Sequence, residues 1–297
     1  MSEKLRAYLY LHLCVFIWGF TAILGKLISL KALPLVWWRV ALCCAALWML
    51  IPRAQLRSMD RAMILRLFGI GALVGLHWLC FYGAIKLSNA SVGVVSMATA
   101  SFFAALLEPV LFRRPLKWHE LSLGLLVIPG IALIVGAIDW EMRWGFAVGI
   151  AAAFLAALFT ALNKQVLDSP HPPPPFAMTL AELGGGLILC SLILPIYLLR
   201  YPETPMAIQG ADWMWIPVLA FVCTLAPYYL TLLAMRHISA FATNLSVNLE
   251  PVYGVVLAAL IFGEHREMNA HFYIGVGVII AAVFGHPLLK HYVERDF

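Results

Sequence analysis

The stretch LSLGLLVIPGIALIVGA, residues 121–137, carries no charged side chain, and the stretch VLAFVCTLAPYYLTLLA, residues 218–234, has the same character. A bilayer core about 30 Å thick is crossed by roughly 20 helical residues that each rise about 1.5 Å. Strands of a membrane barrel would instead alternate apolar and polar residues over segments of about ten. Because both stretches are apolar all round, they predict membrane-spanning α-helices.

Comparable stretches recur along the chain. Hydrophobic residues make up 63% of the sequence and charged residues 12%, with a mean hydropathy of +0.91, whereas about 25% of the residues of soluble proteins are charged. We therefore predict an all-α polytopic membrane protein with ten transmembrane helices. The predicted spans are residues 7–29, 35–52, 63–85, 92–112, 119–136, 144–162, 176–198, 213–234, 242–262 and 271–289. The first span lacks a small-residue cleavage pattern, so we expect it to be retained.

The distribution of lysine and arginine predicts the orientation of these helices. Ten spans place both termini on one side of the membrane, and thirteen of the twenty basic residues lie on that side. Arg39 lies within a span, and the six basic residues of the other side are Lys26, Lys31, Lys86, Arg143, Arg200 and Arg266. Because basic loops stay in the cytoplasm, we expect cytoplasmic termini in a bacterial inner membrane. The net charge of +5 follows from the same bias, and we expect no nucleic-acid partner.

The motifs of several other functional classes are missing from the sequence. It contains no His-Glu-x-x-His pattern, no glycine-rich phosphate loop and no aspartate within a predicted span. This disfavours an intramembrane enzyme and ATP-driven transport, and we expect no cofactor and no bound metal. A channel or a non-transporting scaffold stays an alternative, although neither a charged ring nor a repeated filter sequence is visible. The cysteines all lie in predicted spans and suit neither an extracellular disulfide nor a zinc site: Cys14, Cys43, Cys44, Cys80, Cys190 and Cys223.

The two halves of the chain resemble each other. A shift of 150 residues aligns Ala84-Ile85-Lys86 with Ala234-Met235-Arg236, and Phe112 with Phe262. The matched order of spans and breaks carries more weight than these few identities. An odd number of spans inserts the second half upside down, which is typical of transporters that bind a substrate between their halves. We predict two inverted five-helix repeats around a central cavity, residues 1–137 and 138–297.

Four local patterns resemble those of a known family. They are Trp18-Gly19-Phe20 in the first span, Arg39 in the second, Phe81-Tyr82 to Ser91 at the end of the third, and Asn248 to Glu264 across the ninth. On these patterns the chain is similar to EamA-type members of the drug/metabolite transporter superfamily along essentially its whole length. The resemblance implies a ten-helix basket with a central cavity, cytoplasmic termini, and export or exchange of amino acids and related small metabolites.

Ionisable side chains inside spans are the first candidates for function, because each costs roughly 2.5 to 3.5 kcal/mol to insert. His77, followed by Trp78, lies well inside the third span and either faces a polar cavity or bonds to the next helix. Glu250 lies in the ninth span with Asn244 and Asn248, two amides four residues apart on one helical face. These three residues form a substrate-binding face or bridge neighbouring helices. His77 and Glu250 are also the candidates for proton coupling.

The resemblance places nine further residues around the cavity: Trp18, Thr21, Tyr82, Ser96, Thr99, Ser101, Asn163, Tyr228 and Tyr229. Hydroxyl and amide groups bind an amino or carboxylate group without a buried net charge, and aromatic faces hold apolar or cationic parts of a ligand. This chemistry suits an amphiphilic ligand such as an aromatic or aliphatic amino acid. Aromatic side chains in spans also commonly face lipid or a neighbouring helix.

Three other charged residues are expected to have structural roles. Arg39 follows two tryptophans near the outer end of the second span, so we expect its side chain to reach the lipid headgroups. Glu108 lies close to Arg113 and Arg114, and we expect an ion pair there. Glu182 is placed at a similarly shallow position.

Together these features predict a secondary transporter that moves a small metabolite by alternating access, as an exporter or an exchanger. Its expected partners are a small-molecule substrate and the lipid bilayer, and it acts as a monomer or a homodimer. Proton coupling and simple exchange are both compatible with the residues present.

Overall fold

The computed structural model describes residues 2–57, 59–115, 118–247, 249–278 and 280–281. Asn248 lies outside this range, and so do residues 282–289, which belong to the predicted tenth span. Within it, every regular element is helical, as the all-α prediction requires. The α-helices are α1 (Glu3–Leu27), α2 (Ala32–Leu50), α3 (Arg53–Arg57), α4 (Arg61–Leu87), α5 (Ala90–Met97), α6 (Ala100–Leu111), α7 (Trp118–Ala137), α8 (Trp140–Leu167), α9 (Pro175–Arg200), α10 (Asp212–Pro217), α11 (Ala226–Met235), α12 (Ala240–Val247) and α13 (Glu250–Phe262).

Seven helices of the described part are long and apolar enough to cross a membrane. They are Glu3–Leu27, Ala32–Leu50, Arg61–Leu87, Ala90–Leu111, Trp140–Leu167, Pro175–Arg200 and Asp212–Met235. Each overlaps one predicted span, α7 covers the predicted fifth span, and α12 with α13 covers the ninth. Residues 270–278 are helical where the tenth is predicted to begin. The chain is therefore a multi-pass membrane protein, and the number of ten spans stays a prediction.

The ends of successive long helices alternate between two faces of the bundle. Lys164 at the end of α8 donates to the carbonyl oxygen of Met235 at the end of α11, at 2.9 Å. Lys86 at the end of α4 donates to the carbonyl oxygen of Ile28, just beyond α1, at 2.7 Å. We call the end that holds Glu3 the N-terminal face and the end that holds Lys86 the opposite face.

Two broken helices match each other across the chain. The bounds of α5 and α12 are 150 residues apart, and so are the first residues of α6 and α13. Just beyond α6 and α13, Arg113 and Gly263 have positive φ angles of 50° and 69° at equivalent positions. Because α5 begins at the opposite face and α12 at the N-terminal face, the matched pieces run in opposite directions. This agreement supports an inverted repeat, which as a ten-helix whole stays a prediction.

Glycines let α4 and α9 approach each other closely. A Cβ atom added at Gly71 would overlap the carbonyl oxygen of Glu182, and one added at Gly75 would lie 3.0 Å from the Cα of Gly186. Small residues of this kind allow membrane helices to pack backbone to backbone. At Gly69 an added Cβ would meet nothing within 4 Å, so that glycine does not serve the contact.

A π-helical segment, Val218–Leu225, joins α10 to α11. It lies between Pro217 and Pro227, and a proline ring within a helix removes one backbone donor and crowds the carbonyl of the preceding turn. The Thr224 hydroxyl donates to the carbonyl oxygen of Leu219, five residues earlier, at 2.6 Å.

Candidate functional site

A central cavity lies among helices of both halves of the chain. It contains about 840 Å³ of space that atoms do not fill, including its opening. The wall takes residues from α1, α2, α4 and α5, and from α8, the π segment, α11, α12 and α13. Its aromatic residues are Trp18, Trp78, Phe81, Phe159 and Tyr228, and its polar residues are Thr21, Arg39, His77, Thr160, Asn163, Thr224, Thr231, Thr243, Asn244 and Glu250.

Arg39 supplies a buried positive charge to the cavity wall. Its Nε donates to the hydroxyl of Thr224 at 2.5 Å, and one terminal nitrogen donates to the hydroxyl of Tyr82 at 2.9 Å. The guanidinium lies over the ring of Trp78, 4.0 Å from the ring centroid. No carboxylate of the described residues lies within ion-pair distance of it. The expectation that Arg39 reaches the headgroups is wrong, because its side chain turns inward to these three partners and is 2% exposed.

His77 lies in the cavity wall and also bonds to a neighbouring helix. Its Nδ1 is 2.8 Å from the carbonyl oxygen of Ala152 in α8. Because a carbonyl oxygen can only accept, Nδ1 carries the hydrogen and Nε2 is left as an acceptor. The imidazole packs between Phe81 and Phe159, with ring centroids 6.3 and 5.4 Å away. His77 therefore both faces the cavity and bonds to the next helix, the two roles that the sequence left as alternatives.

Glu250 supplies a carboxyl group to the same cavity. It is the first residue of α13, where a negative charge is favoured by the unpaired N–H groups and dipole of the helix. The following Pro251 costs nothing there because the first turn has no backbone acceptor to lose. Asn244, also in the wall, donates to the carbonyl oxygen of Ala240 at 3.1 Å.

Glu182 lies behind the wall and has no exposed surface. It accepts from the amide nitrogen of Asn163 at 3.1 Å and from the hydroxyl of Tyr228. Both partners line the cavity. The shallow depth expected for Glu182 stays a prediction, and its side chain points into the bundle toward α8 and α11. The ion pair expected at Glu108 is confirmed, since Arg114 lies 2.6 Å from its carboxylate.

The structure brings eight of the predicted binding residues together in one wall. They are Trp18, Thr21, His77, Trp78, Asn163, Tyr228, Asn244 and Glu250. Asn248 lies outside the described residues. Three predicted hydroxyls are not part of the wall: Ser96, Thr99 and Ser101 are buried and donate to the carbonyl oxygens of Gly93, Ser96 and Ala98, each three residues earlier.

Two predicted tyrosines also lie outside the wall. Tyr82 is fully buried behind Arg39 and serves as its hydrogen-bond partner. Tyr229 stacks on Phe176 with ring centroids 4.3 Å apart, on the side of α11 away from Tyr228. Consecutive helical residues differ in direction by about 100°, and here Tyr228 faces the cavity while Tyr229 faces Phe176.

Sequence reasoning missed four threonines of the wall and the inward direction of Arg39. Thr224, Tyr228 and Thr231 follow each other at intervals of four and three residues. Thr160 and Asn163 are three residues apart on α8. This spacing places each set on one helical face, so a polar stripe on an otherwise apolar span was the available signal.

A hydrogen-bonded cluster around Glu264 lies at the opposite face. Its carboxylate accepts from the Lys26 ammonium at 2.8 Å, from the Ser91 hydroxyl at 2.6 Å, and from the backbone N–H groups of Ala90 and Ser91. Burial alone would raise the pKa of Glu264, but the hydrogen bonds from Lys26 and Ser91 and the Lys26 charge together lower it below its ordinary value of 4.5. The ends of α1 and α13 are thereby tied to the start of α5.

A comparison with known families matches the two halves of the chain as two separate segments. Residues 5–136 and 143–286 match the EamA-like transporter family. The chain belongs to this family. Membership places it in the drug/metabolite transporter superfamily, and it identifies the molecule as a membrane transporter of EamA type.

Relatives of this EamA-type transporter include bacterial and plastid proteins. The uncharacterized transporter YxxF of Bacillus subtilis (strain 168) is 21% identical, over 95% of this chain and 89% of the relative. The chloroplastic phosphoenolpyruvate/phosphate translocator 1 of Arabidopsis thaliana is 31% identical over 106 residues, which cover 36% of this chain and 24% of the relative. A solved structure described as "Crystal structure of protein" is 17% identical, with a TM-score of 0.68 over 96% of this chain and 98% of its own. That likeness establishes a shared fold.

Proposed function

We propose that this EamA-type protein is a secondary transporter that binds a small amphiphilic metabolite, an amino acid or a related compound, in the central cavity. The observation that carries this proposal is the presence of Arg39 and Glu250 in one wall that also carries aromatic rings, hydroxyls and amides. A zwitterion matches such a wall, because its two charges meet opposite charges and its side chain meets aromatic rings.

Each part of the wall has a distinct role in this proposal. A guanidinium has five N–H donors, so Arg39 keeps donors for a substrate carboxylate after its bonds to Thr224 and Tyr82. Glu250 accepts from a substrate ammonium group. Trp18 and Trp78 provide flat apolar surface for the rest of the ligand.

Alternating access is supported by the difference between the two faces. The cavity wall extends to Met235, the last residue of α11 at the N-terminal face. At the opposite face the cluster around Glu264 ties three elements together. We propose that this arrangement opens toward the cytoplasm of a bacterium, since the basic loops lie at the N-terminal face, and that breaking the Glu264 cluster opens the other side for export or exchange.

Transport by reconstituted protein tests this proposal. Proteoliposomes of the full chain are tested against labelled amino acids, organic anions and organic cations, with and without unlabelled compound on the other side. We expect saturable uptake of an amino acid that is accelerated by counterflow. Flux that neither saturates nor responds to counterflow would indicate a channel, and no flux across the panel would indicate a scaffold.

A variant that neutralises Glu250 tests whether the substrate is a zwitterion. Glu250→Gln removes the negative charge of the wall at constant size, and hydrogen bonds to charged groups contribute about 1.5 to 3 kcal/mol. We expect at least about tenfold weaker uptake of the amino acid, since 1.4 kcal/mol corresponds to a factor of ten. Glu203→Gln makes the same chemical change in the exposed loop after α9 and is the control. Equal uptake by the two variants would remove Glu250 from the site.

A further inference from the structure

Glu182 and its partners leave two buried oxygen atoms without hydrogen bonds. Asn163 and Tyr228 both donate to the same carboxylate oxygen of Glu182, Oε2. The other carboxylate oxygen, Oε1, and the amide oxygen of Asn163, Oδ1, are buried and have no partner in the described part of the chain. These two acceptors need a hydrogen-bond donor. Neither side chain provides one when Glu182 is ionised.

No positive charge compensates Glu182. Tyr228 is the titratable group that faces it from α11, and no described cation lies within ion-pair distance. On the helices packed around Glu182, the described titratable groups with assigned partners bind or stack elsewhere. They are Arg39 of α2, Arg66 and His77 of α4, Lys164 of α8 and Tyr229 of α11. A fully buried carboxylate without a cation is costly inside a membrane protein.

A single proton on Glu182 removes both the uncompensated charge and the lack of a hydrogen-bond donor. Bound at Oε1, it converts the carboxylate to the neutral acid and provides the missing donor for Oδ1 of Asn163. An acid and an amide can then form paired hydrogen bonds, N–H to Oε2 and O–H to Oδ1, which leaves no unpaired acceptor between them. We propose that Glu182 is a proton-binding site of this transporter, held by Asn163 and Tyr228 and linked through them to substrate in the cavity.

The same two partners connect Glu182 to the cavity. Both line the cavity, from whose solution the carboxylate takes up one proton at Oε1, while the bonds that Asn163 and Tyr228 donate to Oε2 are kept. A substrate that bonds to Asn163 or Tyr228 alters how they hold Glu182, and by linkage protonation of Glu182 alters substrate affinity by the same factor. This coupling rests on the transport function proposed above.

Infrared spectroscopy tests proton binding without any substrate. Difference spectra of the reconstituted full chain between acid and alkaline pH report the carbonyl stretch of carboxylic acids. We expect a titrating acid band that Glu182→Gln loses and that the exposed control Glu203→Gln retains. Because a glutamine amide can repeat the paired bonds with Asn163, Glu182→Gln is expected to fold and melt like the wild type. A band of unchanged amplitude in Glu182→Gln would overturn the proposal.

A second variant keeps the test independent of the first. Asn163→Leu removes the amide partner and is expected to shift the frequency of the acid band, because the acid loses its paired bonds. An unshifted band would overturn the pairing of Glu182 with Asn163.

Flux measurements test the coupling, with labelled L-phenylalanine as the probe. For one proton per substrate, a gradient of about one pH unit supports up to about tenfold accumulation. We expect accumulation by the wild type, and counterflow exchange with an accumulation ratio near one for Glu182→Gln. Wild-type flux that ignores the gradient, or accumulation that survives in Glu182→Gln, would overturn the coupling. A lack of any wild-type counterflow of the probe would instead count against the proposed amino-acid transport, while the infrared result still decides proton binding.

Discussion

The guanidinium of Arg39 bonds in two directions at once, to Thr224 and to Tyr82, while its flat face covers Trp78. A lysine ammonium has the same charge but neither the fork of donors nor the flat face. It cannot reach both hydroxyls from one position. The shape of the side chain, and not only its charge, therefore fixes the wall of the cavity at this point.

Arg39→Lys separates shape from charge. Hydrogen bonds to charged groups contribute about 1.5 to 3 kcal/mol each, so we expect the initial rate of amino-acid uptake in proteoliposomes to fall at least about tenfold. Arg200→Lys is the matched control, because Arg200 also lies over an aromatic ring, that of Tyr201, but is exposed at the end of α9. Wild-type rates for Arg39→Lys would show that charge alone suffices.

The depth of Arg39 in its span could be predicted from the sequence, but its direction could not. Hydropathy places Arg39 within the second span, and it is the eighth of the 19 residues of α2. The remainder of α2 is apolar on every side, so no polar stripe indicates which side faces the cavity. The partners that decide it, Thr224 and Tyr82, come from distant parts of the chain.

The close contact between α4 and α9 requires glycine at position 71 but not at position 69. Gly71→Ala places a Cβ where the carbonyl oxygen of Glu182 lies, and a backbone atom cannot rotate away. Overpacking of this kind costs about 1 to 3 kcal/mol. We expect a lower melting temperature of the purified protein, together with weaker transport, since the shift moves Glu182.

Gly69→Ala is the control for that variant. The same methyl group is added to the same helix, but nothing lies within 4 Å of it. Because alanine favours a helix over glycine by about 0.8 to 1 kcal/mol, Gly69→Ala is expected to melt at or slightly above the wild-type temperature. Equal melting temperatures for the two variants would contradict a backbone contact at Gly71.

The breaks between α5 and α6 and between α12 and α13 show which features of the helices the sequence predicts. The 150-residue alignment of the two halves follows from the sequence, and the helix bounds agree with it. Pro251 predicts a kink in the ninth span, whereas the break between α5 and α6 was not predicted, because no proline or glycine stands at Ala98 and Thr99. That break is decided by tertiary packing, which hydropathy along one helix does not contain.

At the scale of the whole molecule, the cluster around Glu264 joins α1, α5 and the end of α13 across the opposite face. Removing its charge by Glu264→Gln weakens the bonds to Lys26 and Ser91. We expect the opposite face to open more often. A thiol reporter, Thr21→Cys, placed in the cavity wall of a chain without its native cysteines, should then react several-fold faster with an impermeant reagent added from that side.

Glu267→Gln is the control for the opening of the opposite face. Glu267 lies at the same face and accepts one hydrogen bond, from Asn89 at 3.2 Å, but its side chain is exposed. Its neutralisation is expected to change the reaction rate of the reporter little. If Glu264→Gln reacts no faster than Glu267→Gln, the cluster around Glu264 does not hold the opposite face closed.

The Glu264 cluster also predicts how the closed form responds to acid. Although burial opposes it, the bonds from Lys26 and Ser91 lower the pKa of Glu264 in the folded protein below 4.5. A carboxyl group with a lowered folded pKa stabilises the fold above its unfolded pKa and loses that contribution as the pH falls through the folded value. We therefore expect the wild type to melt above Glu264→Gln by a constant margin from about pH 7 to about pH 5, and the margin to shrink in stronger acid. A margin already lost between about pH 7 and about pH 6 would mean that another group, with a pKa in that interval, controls the opposite face.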